Sequence, residues 1–164
     1  PLYRQVLVNA PHIRDAPEIL FTIGEIYMSR KKYAEAVGEY DKLEQQFPDS
    51  PFSERAALRR ADAYGRLADR TPTDLRPLEA EQTALEHFIQ TYPDSEQLEA
   101  VRLRRKKVYD ELAAALFQKG VFYEESLKKP GAALTIFQSL REQYPDSEWT
   151  PRAETRILNL TQEP

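Results

Sequence analysis

Few residues in this chain could do chemistry, and they are scattered. His12 and His87 stand far apart, and neither falls in a His-Glu-x-x-His or comparable ligand spacing. Cysteine is absent, which removes disulfides, thiolate zinc sites and thiol nucleophiles together. The sequence has no Gly-rich phosphate loop, no nucleophile elbow and no pair of carboxylates in a recognisable acid–base frame. No catalytic residue, metal site or cofactor is therefore expected. What remains is recognition by charge and by apolar surface. Arg55 and Arg66 carry guanidinium forks that match a carboxylate. Arg102, Arg104, Arg105, Lys106 and Lys107 place five bases in six positions. On a helix those five point all round the axis, so their ordinary role is a solvated face, with a docking patch for acidic groups as the sharper reading.

The composition points to a folded, helix-rich chain. Of 164 residues, 41% are hydrophobic and 30% charged, with only five glycines. Net charge is −4, so nothing suggests nucleic acid as a partner. No apolar run approaches the ~20 residues of a membrane span. The chain opens at Pro1-Leu2-Tyr3, in mid-pattern, and reads as a fragment or trimmed product.

The elements that must position the candidates announce themselves by repetition. Phe47-Pro48-Asp49-Ser50, Tyr92-Pro93-Asp94-Ser95 and Tyr144-Pro145-Asp146-Ser147 are copies of one phrase, with a degenerate copy at Ala10-Pro11-His12. Their prolines lie 37, 45 and 52 residues apart. Each phrase ends one amphipathic run and begins another. The aromatic packs the last helical turn inward, Pro ends the helix, and Asp and Ser are expected to cap the next one. Counting back from Pro48 gives a unit from Pro17 to Ser50 with Leu20, Gly24, Tyr27, Ala36, Tyr40 and Pro48 at tetratricopeptide positions. Its small residues let two helices approach, and its aromatics fill the space between hairpins.

The expected fold is all-α, a tetratricopeptide-type α-solenoid of about three helical hairpins. The units are about 17–50, 51–95 and 96–147, with partial units at 1–11 and 148–164, in a single domain. In the second unit an insertion of roughly Leu67 to Leu78 splits the helix pair. In the third, apolar residues at helical spacing from Leu98 to Leu127 predict one extended helix around 96–128, about 45 Å long. The turn before its partner is Lys128-Lys129-Pro130-Gly131.

These phrases and their irregular spacing resemble the BamD family of outer-membrane assembly lipoproteins. The best stretch is Arg70 to Arg152, which holds Phe88-Ile89-Gln90-Thr91-Tyr92-Pro93-Asp94-Ser95 and Ala133-Leu134-Thr135-Ile136-Phe137. The resemblance implies a non-catalytic periplasmic scaffold at the outer membrane. It would bind unfolded β-barrel proteins and dock on a POTRA-domain insertase. It would meet the membrane only through a lipid anchor outside this chain. The sequence carries no lipid-bearing Cys, and the family's last unit is half present. Two other readings are a periplasmic adaptor like YbgF of the Tol-Pal system, whose units are more regular, and a generic peptide-binding repeat adaptor. A cytosolic co-chaperone clamp would need Lys and Asn where Glu18, Phe21 and Glu25 stand.

Solenoids of this class bind extended peptides on the face lined by the first helix of each hairpin. The candidates there are Phe21, Glu25, Met28, Arg55, Leu58, Arg66, Phe117 and Val121. Arg102, Arg105, Lys106 and Trp149 form the candidate docking patch, Trp149 having packing on the preceding hairpin as its ordinary role.

Overall fold

A computed structural model describes residues 15–162. The expected partial unit at 1–11, the phrase at Ala10-Pro11-His12, and His12 itself lie outside the described residues. The elements in order are α1 (Ala16–Ser29), α2 (Tyr33–Gln46), α3 (Ser53–Arg70), α4 (Arg76–Thr91), α5 (Leu98–Val121), a π-helical turn (Phe122–Ser126), α6 (Pro130–Gln143) and α7 (Thr150–Gln162). Among the described residues there is no strand, so the all-α tetratricopeptide-type class holds. None of the helices is long and apolar enough to cross a membrane. The chain divides into two compact units, 1–102 and 103–164.

In the first unit, α1 packs on α2, α2 on α3 and α3 on α4. The core is Leu20, Phe21, Ala36, Val37, Tyr40, Leu43, Ala56 and Ala63, with Tyr27, Met28 and Phe52 closing its edge. The spacing that identifies the repeat has a direct steric cause. A Cβ on Gly24 would sit within 3.0 Å of three ring carbons of Tyr40, so only glycine lets α1 and α2 close on that ring. α3 and α4 also pack together, with Ala57 and Ala61 of α3 and Ala84, Leu85 and Phe88 of α4 all buried. Truncating a ring as enclosed as Phe88 costs about 3–5 kcal/mol.

In the second unit α6 packs on the π-turn and on α7. Gly120 repeats the arrangement of Gly24, with the Phe137 ring where Tyr40 stood. One difference in register matters. Gly24 and Tyr40 are 16 positions apart, Gly120 and Phe137 are 17. The extra residue goes into the π-turn, where Leu127 N–H reaches back to the Phe122 carbonyl at 3.1 Å. The wider i→i+5 turn takes up that residue locally, and Gly120 still meets the Phe137 ring.

Three expectations need correcting. The insertion expected over roughly Leu67 to Leu78 is mostly helical. Leu67–Arg70 extends α3, α4 starts at Arg76, and only residues 71–75 connect them. Pro77 stands in the first turn of α4, where its missing N–H costs nothing. The phrase Ser residues are also not helix caps. Ser50, Ser95 and Ser147 each lie three residues before the next helix, and their hydroxyls accept from the N–H two residues on, in Phe52, Gln97 and Trp149, at 3.2, 3.0 and 3.3 Å. Each phrase thus makes a side-chain-closed turn ahead of the helix. Pro130 and Gly131 likewise already belong to α6. The hairpin turn itself uses Lys128 at φ 51°, as the first hairpin uses Lys31 at φ 57°. Arg70 steadies the first of these left-handed lysines, donating to the Lys31 carbonyl at 3.0 Å while its guanidinium lies over the Tyr33 ring.

Candidate functional site

The most distinctive arrangement in the first unit is a guanidinium lying on two aromatic rings. Phe21, from the middle of α1, is buried with its ring 5.9 Å from Tyr40 and 5.7 Å from Phe52. Phe52 arrives on the turn after the first phrase, held there by its N–H bond to Ser50. One helical turn further, the exposed Arg55 lays its guanidinium 4.5 Å from the Phe21 centroid and 5.8 Å from that of Phe52. Arg55 has no acidic partner among the described residues. The rings support the cation by their faces, and its N–H donors are free of any acidic group among the described residues to meet an anion. Phe52, not singled out in the sequence, is the residue that completes this site.

The other candidates are placed differently. Glu25 is engaged: it accepts from the Tyr40 hydroxyl at 2.5 Å and from Arg59 Nη2 at 2.6 Å, and Arg59 also reaches Asp62 at 3.4 Å. Burial, reinforced by the bond to Glu25, pushes the Tyr40 hydroxyl far above its ordinary range. The hydrogen bond to Glu25 likewise raises Arg59. Glu25 therefore ties α1 to α2 and α3. Met28 and Leu58 are half-buried, and Met28 packs on the core. Arg66 is exposed and has only a long 3.9 Å contact to Asp69.

A polar cluster lies between α2, α3 and α4. Arg60 donates to Asp41 at 2.6 Å and stands 3.4 Å from Glu44 and 3.2 Å from His87 Nδ1. The Glu44 side chain is 8% exposed, and neither of its oxygens has a hydrogen bond. Burial lifts its carboxyl to about 7, which Arg60 opposes and Asp41 reinforces. Burial and Arg60 together lower His87. Arg60, Tyr64, Thr83 and His87 line an open cavity of about 370 Å³ beside this cluster. Nothing in the sequence pattern marks it. Among the described residues no group of His, Asp and Glu is placed to hold a metal ion.

In the second unit Phe117 lies 5.5 Å from Phe137 and 5.3 Å from Trp149, and Val121 is half-buried. Arg152 stands over the Trp149 ring at 4.6 Å. The basic run is largely engaged along its own helix. Arg102 pairs with Glu99 at 2.7 Å and Lys106 with Asp110 at 2.9 Å, while Arg105 lies over the Tyr109 ring. Asp110 also accepts from the Ser147 hydroxyl at 2.8 Å and the Glu148 N–H. Burial works to raise its carboxyl, but these bonds more than offset that and hold it below the usual carboxylate range. In the first unit Glu54 accepts from Ser95 in the same manner. Each of these phrases is thus pinned by a carboxylate that sequence reading passed over.

Paired helices in tetratricopeptide register, joined by a repeated aromatic-Pro-Asp-Ser turn, define an all-α helical-repeat protein. Within that class, the chain belongs to the YfiO family of outer membrane lipoproteins, whose sequence model matches residues 14–163. It is 25% identical over 156 residues to the outer membrane protein assembly factor BamD of Caulobacter vibrioides, covering 95% of this chain and 51% of that protein. It is 26% identical over 147 residues to the BamD of Pasteurella multocida, covering 86% of this chain and 52% of that one. The chain thus spans about half the length of both relatives. Their names describe assembly factors, and neither describes a reaction.

Proposed function

We propose that this chain is part of a non-catalytic scaffold on the periplasmic side of the outer membrane, where it holds segments of unfolded β-barrel proteins during their assembly. Membership in the outer membrane lipoprotein family and likeness to two assembly factors support the setting. The observation that carries the mechanism is Arg55 over Phe21 and Phe52. A guanidinium held over rings, with no carboxylate partner among the described residues, suits the terminal carboxylate of an extended peptide. The half-buried Phe52, Leu58 and Met28 offer apolar contact for an aromatic side chain next to it. Docking on a POTRA-domain insertase completes the reading, with Arg105 and Lys106 of the second unit as its basic contact.

The test is calorimetric titration with a peptide ending in phenylalanine, as free acid and as amide. Arg55→Ala weakens the free acid about tenfold, the worth of one charge-assisted pair. At this site amidation does the same to the unaltered chain and adds nothing once Arg55 is gone. Losses from amidation and substitution that simply add would show that Arg55 does not meet the carboxylate.

A further inference from the structure

The first-unit site has a counterpart in the second. Phe21 corresponds to Phe117, each at the same distance before its hairpin glycine, Gly24 or Gly120. Phe52 corresponds to Trp149, each two residues after a phrase serine and each with its N–H on that serine's hydroxyl. Arg55 corresponds to Arg152, each three residues further. The ring pairs match, Phe21–Phe52 at 5.7 Å and Phe117–Trp149 at 5.3 Å. Each set carries its guanidinium on a ring, though not on the same one: Arg55 lies 4.5 Å from Phe21 and 5.8 Å from Phe52, whereas Arg152 lies 4.6 Å from Trp149, the counterpart of Phe52. Arg152 is exposed and, like Arg55, has no acidic partner among the described residues. The one-residue offset between the two sets is the residue taken up by the π-turn.

The middle phrase tells whether this is only packing. After Ser95 the matching positions hold Gln97 and Ala100. The turn still forms, with the Gln97 N–H on Ser95 Oγ, and the following helix still starts three residues on, at Leu98. An aromatic with an arginine is therefore not needed to make the turn or start the helix. Where the pair does occur, it leaves an unpaired guanidinium at the surface, the one part of the set that packing does not use.

We infer that Phe117, Trp149 and Arg152 form a second peptide site, which takes the same chemical class of ligand as the first: a carboxylate beside an apolar side chain of an extended polypeptide. This inference rests on the proposed peptide-binding role of Arg55, and the experiment separates the two. The full chain is titrated by calorimetry with the Phe-terminated peptide. The expected stoichiometry is two per chain, falling to one in Arg152→Ala and to one in Arg55→Ala. Trp149 is the only tryptophan, so its fluorescence reports the second site by itself. It changes on titration of the Arg55→Ala chain and stays constant for Arg152→Ala. Arg152→Lys keeps the charge but loses the planar stack, and retains less than half of the binding at this site. Each variant's helicity and urea midpoint are expected to match the unaltered chain, because Arg152 is exposed. One peptide per chain, with Arg152→Ala silent and the Trp149 signal flat, would overturn this inference and leave the Arg55 site standing. No peptide bound at all would overturn both.

Discussion

Glu44 is the residue whose environment most contradicts its chemistry. Its side chain is sealed between helices, Arg60 is near but makes no hydrogen bond to it, and its carboxyl is lifted from an ordinary 4.5 to about 7. The folded state therefore holds a proton that the unfolded chain has released between those two pH values. Stability falls as pH rises through that window, and the penalty is complete above about 7. Its size is at most about 3 kcal/mol. Glu44→Gln removes the titration. In urea unfolding the variant is expected to be more stable than the unaltered chain at pH 8, with the advantage shrinking toward pH 5. His87 acts the other way, since its lowered value makes stability rise with pH below its ordinary 6.5. The difference between the two chains, not either curve alone, isolates Glu44. A variant less stable at pH 8 would mean that attraction to Arg60 outweighs burial. None of this was legible in the sequence, because Glu44 sits at an exposed-looking position of α2 and is buried only by α3 and α4.

At the scale of elements, the most legible features were those set by local chemistry. The phrases, the hairpins and the long run from Leu98 follow from Pro placement and apolar spacing. The structure gives that run as 24 α-helical residues followed by five π-helical ones. The glycine positions follow from the repeat pattern, and their reason is the facing ring. Gly24→Ala and Gly120→Ala each force a methyl group onto Tyr40 or Phe137. Alanine's better helix propensity returns less than overpacking removes, so each variant should lose about 1–3 kcal/mol in urea unfolding. Gly38→Ala is the control: nothing lies within 4 Å of its Cβ, so it should gain stability by up to about 1 kcal/mol. The misread parts were those where tertiary partners decide. Residues from about Leu67 to Leu78 read as an insertion splitting the helix pair, yet the helices on either side extend into it and leave only residues 71–75 between them. Phrase serines looked like caps, yet their hydroxyls close a turn three residues earlier.

For the whole molecule, the chain falls into two compact units, with Gly24 and Tyr40 in the first and Gly120 and Phe137 in the second. The Gly24→Ala/Gly120→Ala double variant should therefore lose the sum of the two single losses, within about 0.5 kcal/mol. A shortfall beyond that in matched urea titrations would show the units sharing energy that their separate packing does not reveal. The fold class and family were readable from the repeat. The candidate site was readable only in pieces. Phe21, Arg55 and Phe117 were chosen by repeat position and Trp149 as part of the docking patch, while Phe52 and Arg152 needed coordinates to show which ring lies under which guanidinium.

The π-turn has a practical meaning beyond binding. A loop that has already taken in one residue while Gly120 still meets Phe137 is a tolerant point of the scaffold. Phe122 in the turn and Leu127 and Lys128 just after it are exposed. An affinity tag or a fluorescent reporter spliced in after Ser126 should leave the fold intact, giving this chain a handle at an interior position rather than at its ends.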